Sequence, residues 1–129
     1  MLKKRILIVD DQIGIRSLLS VLFYEAGFEI YEASNGIEAV NMVDKHRLDL
    51  VVMDLRMPGM NGMEAFARMK KMDNRIKVVL MSAFAEDETA NYAIKKGAAG
   101  FFHKPFDLQV LKEFVLSLVG ETDQQVYLA

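Results

Sequence analysis

Short apolar runs alternate with amphipathic stretches along the whole chain. The runs at 6–9 (ILIV) and 50–53 (LVVM) are rich in β-branched residues and are typical of buried strands. The stretch after Asp11 instead has apolar residues three or four positions apart, which predicts a helix that stops at Gly27. The same alternation continues along the chain. It predicts strands at about 5–9, 28–33, 49–53, 76–81 and 99–103, and helices at about 12–26, 37–45, 63–72, 86–96 and 108–119, the last capped by Asp107.

This strict alternation predicts the fold class. Strands that alternate with helices form right-handed crossovers and a parallel sheet. We therefore expect an α/β, doubly wound, five-stranded parallel sheet with helices on both faces, in flavodoxin-like order. The chain has 129 residues, which suits one domain. We expect that domain to span residues 1–120, followed by a polar tail at 121–129.

Three aspartates close two of the predicted strands. Asp10 and Asp11 follow the first apolar run, and Asp54 follows the third strand's run. Because parallel strands end at the same edge of a sheet, we expect these carboxylates to meet there. Three carboxylates in one place repel one another and need either a hard cation or raised pKa values. The spacing therefore predicts a cation site at this edge.

The same edge collects a hydroxyl and an ammonium group. Ser82 follows the fourth predicted strand and Lys104 follows the fifth. Phosphoryl transfer to a carboxylate needs Mg²⁺ held by acidic residues, an attacking carboxylate and groups that neutralise the phosphoryl oxygens. The bond from Lys104 to Pro105 could be cis, which would turn the chain sharply and direct the lysine across the site. Each residue alone has an ordinary structural explanation, but together they favour this chemistry.

Composition and charge narrow the class of protein. The chain is 52% hydrophobic and 26% charged, with a net charge of −2, so neither nucleic acid nor an anionic membrane is an expected partner. It has no Cys, which excludes disulfides, thiol catalysis and Cys-ligated zinc. No apolar run approaches the ~20 residues of a membrane span, and Asp10 interrupts the first run before a signal peptide is complete. We expect a cytoplasmic protein.

The motifs resemble those of the receiver domains of bacterial two-component response regulators. The resemblance covers about residues 4–119, in order and with the spacing of the family. The motifs that carry it are ILIVDD at 6–11, VMDLRMPGMNG at 52–62, SA at 82–83 and KPF at 104–106. It implies a self-catalysed phosphoacceptor that is not an enzyme in the usual sense, because it has no separate substrate.

The resemblance also implies roles for individual residues. Asp54 would be the phosphoacceptor, and Ser82 and Lys104 would bind the phosphoryl group. The Mg²⁺ ligands would be Asp10, Asp11, Asp54 and the main-chain carbonyl of Arg56.

A switch position lies three residues before the lysine and holds Phe101. Many receivers that control an output domain resemble one another in having Tyr there. Phe needs no hydrogen-bond partner, so the resemblance implies a steric switch made by Ser82 and Phe101. In receivers the positions of Arg56 and Phe84 flank the path of attacking water. Both side chains are large and neither is a general base, which predicts a long-lived phosphoryl group.

A narrower resemblance is to single-domain response regulators of sporulation phosphorelays. DDQIGIR at 10–16, KPFD at 104–107 and the expected lack of an output domain carry it. It implies a phosphorelay intermediate that accepts phosphate from a sensor histidine kinase and passes it to a histidine phosphotransferase. We expect a monomer or a weak dimer.

The first predicted helix indicates where such partners would dock. On a helical wheel the arc that faces the sheet contains Ile15, Leu18, Leu19, Leu22, Phe23 and Ala26, whereas Ile13, Val21 and Tyr24 fall outside it. The start of this helix adjoins the aspartates, and a donor must bring its phosphohistidine to Asp54. The predicted docking residues on this outer face are Ile13 and Gly14. The resemblance to sporulation phosphorelay regulators implies three more at the margin of the arc: Gln12, Ile15 and Leu18.

Three alternatives remain open at the level of sequence. The chain could be a receiver cut from a transcriptional regulator. It could also be a Mg²⁺-dependent phosphohydrolase with aspartyl-phosphate chemistry, although no insertion is present to close over a substrate. A flavodoxin-like cofactor binder is disfavoured, because Asp-Asp-Gln and not a Gly-rich phosphate loop follows the first strand.

Overall fold

A computed structural model of the chain describes residues 3–83 and 87–119. These residues form five strands that alternate with five helices. The strands are Arg5–Val9 (β1), Glu29–Ala33 (β2), Leu50–Asp54 (β3), Lys77–Ser82 (β4) and Gly100–His103 (β5), and the helices are Ile13–Glu25 (α1), Gly36–Lys45 (α2), Gly62–Met72 (α3), Asp87–Lys95 (α4) and Leu108–Leu118 (α5). Every predicted element is confirmed, with bounds within one residue of those expected at each end in the described ranges.

The five strands form one parallel sheet in the order β2-β1-β3-β4-β5. The first strand, β1, therefore lies inside the sheet. The chain continues outward to β2 and then crosses back past β1 to build the other half. In the register of β1 with β3, Val9 lies opposite Met53. The residues that follow these two, Asp10 and Asp54, are consequently neighbours at the carboxyl edge of the sheet.

Helices cover both faces of the sheet and give the molecule two apolar layers. Successive strand side chains point to opposite faces, so Leu7 packs with Phe66 of α3, whereas Ile8 packs with Phe23 of α1 and Val115 of α5. β3 is buried at every position, and β1 at every position after Arg5. This double burial explains why these two strands are continuous apolar runs in the sequence.

Polar side chains begin the helices by accepting hydrogen bonds from the otherwise unpaired N–H groups of the first turn. Asn35 accepts from Glu38 N, Asn61 from Glu64 N, and Asp107 from the backbone of α5, as the sequence predicted for the last helix. α1 differs, because Gln12 precedes it without a side-chain cap.

The exposure of the α1 side chains agrees with the predicted position of Leu18 at the margin of the arc that faces the sheet. Leu18 is 48% exposed, whereas Leu19 and Phe23 are buried. Consecutive residues of a helix are separated by about 100°, so Leu18 lies to one side of the buried Leu19.

Some sequence predictions fall outside the described residues. These are the place of Phe84 near the path of water, the start of the fourth helix at Glu86, and the tail at 121–129. Among the residues that are described, no helix is both long enough and apolar enough to cross a membrane.

Gly62 lies where the backbone of α3 approaches the carboxyl end of β3. A Cβ atom at this position would lie 2.6 Å from Leu55 Cα and 2.8 Å from the main-chain oxygen of Asp54. The N–H of Gly62 also donates to the Leu55 carbonyl at 3.0 Å. Both close atoms belong to the backbone and cannot move aside, so only glycine fits against the segment that carries Asp54.

We predict that Gly62→Ala lowers the free energy of unfolding by about 1–3 kcal/mol, because the added methyl group overpacks a rigid site. Gly14→Ala is the matched control, since a Cβ at Gly14 meets nothing within 4 Å. That control should be neutral or stabilising by up to about 1 kcal/mol, because Ala favours the helix over Gly. Urea unfolding of both variants measures the difference, and equal effects would contradict the assigned contact.

Candidate functional site

Asp10 is fully buried directly after β1, and all four of its polar groups have partners. Its N–H donates to the Ala33 carbonyl at 3.3 Å, and its carbonyl accepts from Arg16 Nη1 at 2.6 Å. Oδ1 accepts from the N–H of Gln12 at 2.9 Å, and Oδ2 accepts from Lys104 Nζ at 2.9 Å. Its exposed fraction is 0%. Asp10 is thus held rigidly, and its carboxylate also satisfies a donor at the start of α1.

Asp54 and Asp11 complete a cluster of three carboxylates. Asp54 ends β3 and is nearly buried, with Oδ1 accepting from the N–H of Arg56 at 3.2 Å. Asp11 is exposed. One carboxylate oxygen of each aspartate lies within 4.8 Å of one from each of the others. The predicted convergence of Asp10, Asp11 and Asp54 at one edge is what the structure shows.

Lys104 reaches the cluster from the end of β5. Its Nζ lies 2.9 Å from Asp10 Oδ2 and 3.3 Å from Asp54 Oδ2, and its side chain is only 16% exposed. The N–H of Lys104 donates to the Ser82 carbonyl at 2.9 Å, which ties the end of β5 to the end of β4. The peptide bond from Lys104 to Pro105 is cis. One ammonium group therefore bridges two of the three carboxylates.

The electrostatics of the cluster leave negative charge in excess. Burial raises the pKa of the Asp54 carboxyl and the neighbouring Asp10 charge adds to this, although the Arg56 N–H and Lys104 oppose it. Burial alone would lower the pKa of Lys104, but its hydrogen bond to Asp10 and the two carboxylate charges raise it overall. Lys104 therefore stays charged, and one ammonium faces three carboxylates.

This donor set fits a magnesium ion. Mg²⁺ prefers oxygen ligands, is bound through a few carboxylates and keeps several of its waters. Asp10 and Asp54 offer buried carboxylates, whereas Asp11 offers an exposed one at the mouth of the cluster. An ion there would compensate the charge that Lys104 leaves unbalanced.

The structure places the remaining predicted residues close to this edge. Ser82 is 2% exposed and ends β4, one residue after Met81, which lies opposite Asp54 in the sheet. Phe101 is half-buried in β5, lies opposite Leu80, and packs on the core layer shared with α2 and α3. The roles of Ser82 and Phe101 in binding and switching, and of the Arg56 carbonyl as a ligand, stay predictions.

The predicted docking residues lie on the outer side of α1, at its start. Gln12, Ile13, Gly14 and Leu18 are exposed, and Ile13 is 71% exposed. Ile15 is half-buried and packs against the core layer of α1 and α5. The exposed apolar side chains of α1 therefore begin with Ile13, two residues after Asp11.

Arg16 is a site residue to which the sequence analysis gave no role. Arg16 ends the DDQIGIR motif at 10–16, but an arginine in an amphipathic helix is normally a solvated residue. Its bond to the Asp10 carbonyl depends on how α1 lies against the end of β1, which no local pattern shows.

A family comparison agrees with the site. The family model described as the response regulator receiver domain matches residues 6–116. The chain belongs to this family, whose members are signalling modules of two-component systems.

The chain is similar in sequence or structure to several individual receiver proteins. It is 42% identical over 115 residues to sporulation initiation phosphotransferase F of Bacillus subtilis, covering 89% of this chain and 93% of that protein. It is 44% identical over 111 residues to regulatory protein AtoC of Escherichia coli, covering 86% of this chain but 24% of that protein. The CheX–CheY–BeF₃–Mg²⁺ complex from Borrelia burgdorferi aligns with a TM-score of 0.86 at 30% identity, covering 92% of this chain and 90% of that one.

We predict that Asp54→Asn raises the melting temperature by a few degrees at neutral pH without Mg²⁺. The raised pKa of Asp54 means that the native state binds its proton more tightly than the unfolded state. Above both pKa values the carboxylate charge therefore destabilises the fold, and the amide removes that charge. The advantage should shrink as the pH falls through the raised pKa, and should vanish below about 3.9, the ordinary aspartate value.

Thermal unfolding with EDTA across this pH range measures the effect. Asp44→Asn is the control, because Asp44 is an exposed carboxylate on α2. A variant at Asp54 that is no more stable than the parent at neutral pH would contradict the balance of charges described above.

Proposed function

We propose that this chain is a phosphorelay response regulator that accepts a phosphoryl group on Asp54 and passes it on. The observation that carries the proposal is the position of Asp54. It is nearly buried, Lys104 joins it to Asp10, and carboxylate oxygens of all three aspartates lie within 4.8 Å of one another. The donor would be the phosphohistidine of a sensor histidine kinase, and the acceptor would be a histidine phosphotransferase. In this proposal the receiver spans residues 1–120 and residues 121–129 form a polar tail.

The chemistry at Asp54 is a nucleophilic displacement at phosphorus. A carboxylate oxygen attacks the phosphorus and forms a new O–P bond, and the P–N bond to the donor imidazole breaks with its electron pair left on the ring nitrogen. The product is an aspartyl phosphate. The reverse displacement by an imidazole of the phosphotransferase returns the phosphoryl group to histidine.

Residues around Asp54 would stabilise the charge that this displacement moves. Lys104 already lies 3.3 Å from Asp54 Oδ2, so its ammonium group is placed to contact a phosphoryl oxygen. The hydroxyl of Ser82 would contact another oxygen. Asp10, Asp11, Asp54 and the Arg56 carbonyl would hold Mg²⁺. When bound, the ion supplies positive charge to the phosphoryl oxygens.

Partner docking would use residues at the start of α1. Ile13 and Leu18 are exposed apolar residues of α1, which starts two residues after Asp11, and Gly14 leaves room for another backbone. A donor resting on Gln12, Ile13, Gly14, Ile15 and Leu18 would have its imidazole directed at Asp54. Phosphorylation would be reported through Ser82 and Phe101, with Phe101 acting sterically because it carries no hydroxyl.

The match to sporulation initiation phosphotransferase F over 93% of that protein favours a relay intermediate. The alternative is a receiver of a longer transcriptional regulator, which the match to 24% of AtoC favours. For the relay intermediate we propose a cytoplasmic location and a monomer or weak dimer, with neither nucleic acid nor membrane as a partner.

The chain should gain one phosphoryl group when incubated with acetyl phosphate and Mg²⁺, as measured by intact-protein mass spectrometry. Asp54→Asn should abolish the gain, because an amide is isosteric but not nucleophilic. EDTA should also abolish it, whereas Asp44→Asn should behave like the parent. Comparable uptake by the Asp54 variant would exclude Asp54 as the phosphoacceptor.

Variants of the docking residues should slow phosphorylation by a protein donor but not by a small-molecule donor. We expect Ile13→Ala and Gly14→Val to slow phosphorylation by a purified phosphorylated histidine kinase at least several-fold, since a large contact residue is lost or an approach is blocked. Uptake from acetyl phosphate needs no docking and should stay near the parent rate. Ile37→Ala is the matched control, because Ile37 is 55% exposed on α2. Equal loss with both donors would show that α1 serves the fold or the site and not docking.

A further inference from the structure

Arg16 joins the carboxylate cluster to the sheet through two hydrogen bonds. Its Nη1 donates to the main-chain carbonyl of Asp10 at 2.6 Å, and its Nε donates to Glu32 Oε1 at 3.1 Å. The side chain is only 16% exposed although it belongs to the first turns of a surface helix. The guanidinium group therefore lies between the loop that follows β1 and the neighbouring strand β2.

The carbonyl that Arg16 binds belongs to the peptide joining Asp10 to Asp11. The carboxylate of Asp10 is already held by Gln12 N and Lys104, so this residue does not depend on Arg16 alone. Asp11 differs, because its side chain is exposed and its position depends on the plane of the preceding peptide. Arg16 holds that plane at its oxygen atom.

The hydrogen bonds of Arg16 are better suited to orienting the Asp10–Asp11 peptide than to stabilising the fold. A guanidinium presents its donors in a rigid fork, so bonding Glu32 with one nitrogen fixes the direction of another. The Glu32 side chain is 45% exposed, and such exposed ion pairs contribute little to folding stability. The bond to Glu32 thus orients the guanidinium group of Arg16. That group in turn orients the peptide between Asp10 and Asp11.

We propose that Arg16 is a positioning residue of the magnesium site, which it serves by holding Asp11 in place before the ion binds. This inference rests on the proposed function, because it assumes that Asp10 and Asp11 bind Mg²⁺. Partners that orient metal ligands typically change metal affinity by about 10–100-fold when removed. Arg16 contacts the backbone between the two aspartates and not a ligand side chain. We therefore expect a loss of Mg²⁺ affinity at the lower end of that range.

A simple charge effect would have the opposite sign. Arg16 is a cation close to a site for a divalent cation, and its charge alone opposes Mg²⁺ binding. Removing that charge would therefore tighten binding, whereas removing a positioning contact weakens it. The direction of the change in affinity distinguishes the two roles.

The experiment is a calorimetric titration of the intact chain with Mg²⁺ for the parent, Arg16→Met and Arg68→Met. Arg68 is the matched control, because it is also a helical arginine paired with a glutamate, at 3.0 Å from Glu64, but on α3. We expect Arg16→Met to weaken binding about ten-fold and Arg68→Met to leave it unchanged. If Arg16→Met does not fold, Arg16→Lys keeps the charge but not the fork, and it should weaken binding several-fold.

Parent-like or tighter binding by the folded Arg16 variant would overturn this inference, even if its melting temperature fell. That result would leave the proposed function intact, because the parent would still bind Mg²⁺. A parent chain that does not bind Mg²⁺ at all would instead overturn the metal site and this inference with it.

Discussion

The parallel register of β1 against β3 brings buried carboxylates together, and much else in the molecule compensates for that proximity. Val9 opposite Met53 makes Asp10 and Asp54 neighbours at the end of the central strand β3 and of β1 beside it. Burial disfavours the charge of Asp54, and the neighbouring Asp10 carboxylate disfavours it further. Lys104 bridges them from β5, yet one ammonium does not balance three carboxylates. The cluster therefore carries an excess of negative charge, which a bound cation would compensate.

The residues that hold this cluster also build the surrounding fold. The Asp10 carboxylate satisfies the N–H of Gln12 just before α1, which lacks a side-chain cap of its own. The Lys104 N–H ties the end of β5 to β4. Gly62 lets α3 approach the backbone of Asp54. The residues of the cluster therefore also make the hydrogen bonds that hold the start of α1 and join the ends of β4 and β5.

Relatives in the same family have names that indicate different signalling roles. Examples are sporulation initiation phosphotransferase F, regulatory protein AtoC and chemotaxis protein CheY. The cluster at the sheet edge explains what a receiver does but not with which partner it does so. Partner choice must lie on the surface around the site. In this chain an exposed apolar residue, Ile13, lies two positions after Asp11 and is 71% exposed.

The sequence by itself determined the order of strands and helices and most of the residues at the carboxyl edge of the sheet. Continuous apolar runs mark strands buried on both faces, and parallel strands end together, so Asp10, Asp11 and Asp54 were predictable as a group, and so was the placement of Ser82 and Lys104 at the same edge. The role of Arg16 was not predictable. Its hydrogen bonds join α1 to the end of β1 and to Glu32 on β2. Periodicity reports which residues share a face of one element, but contacts between elements depend on their packing, which only the tertiary structure decides.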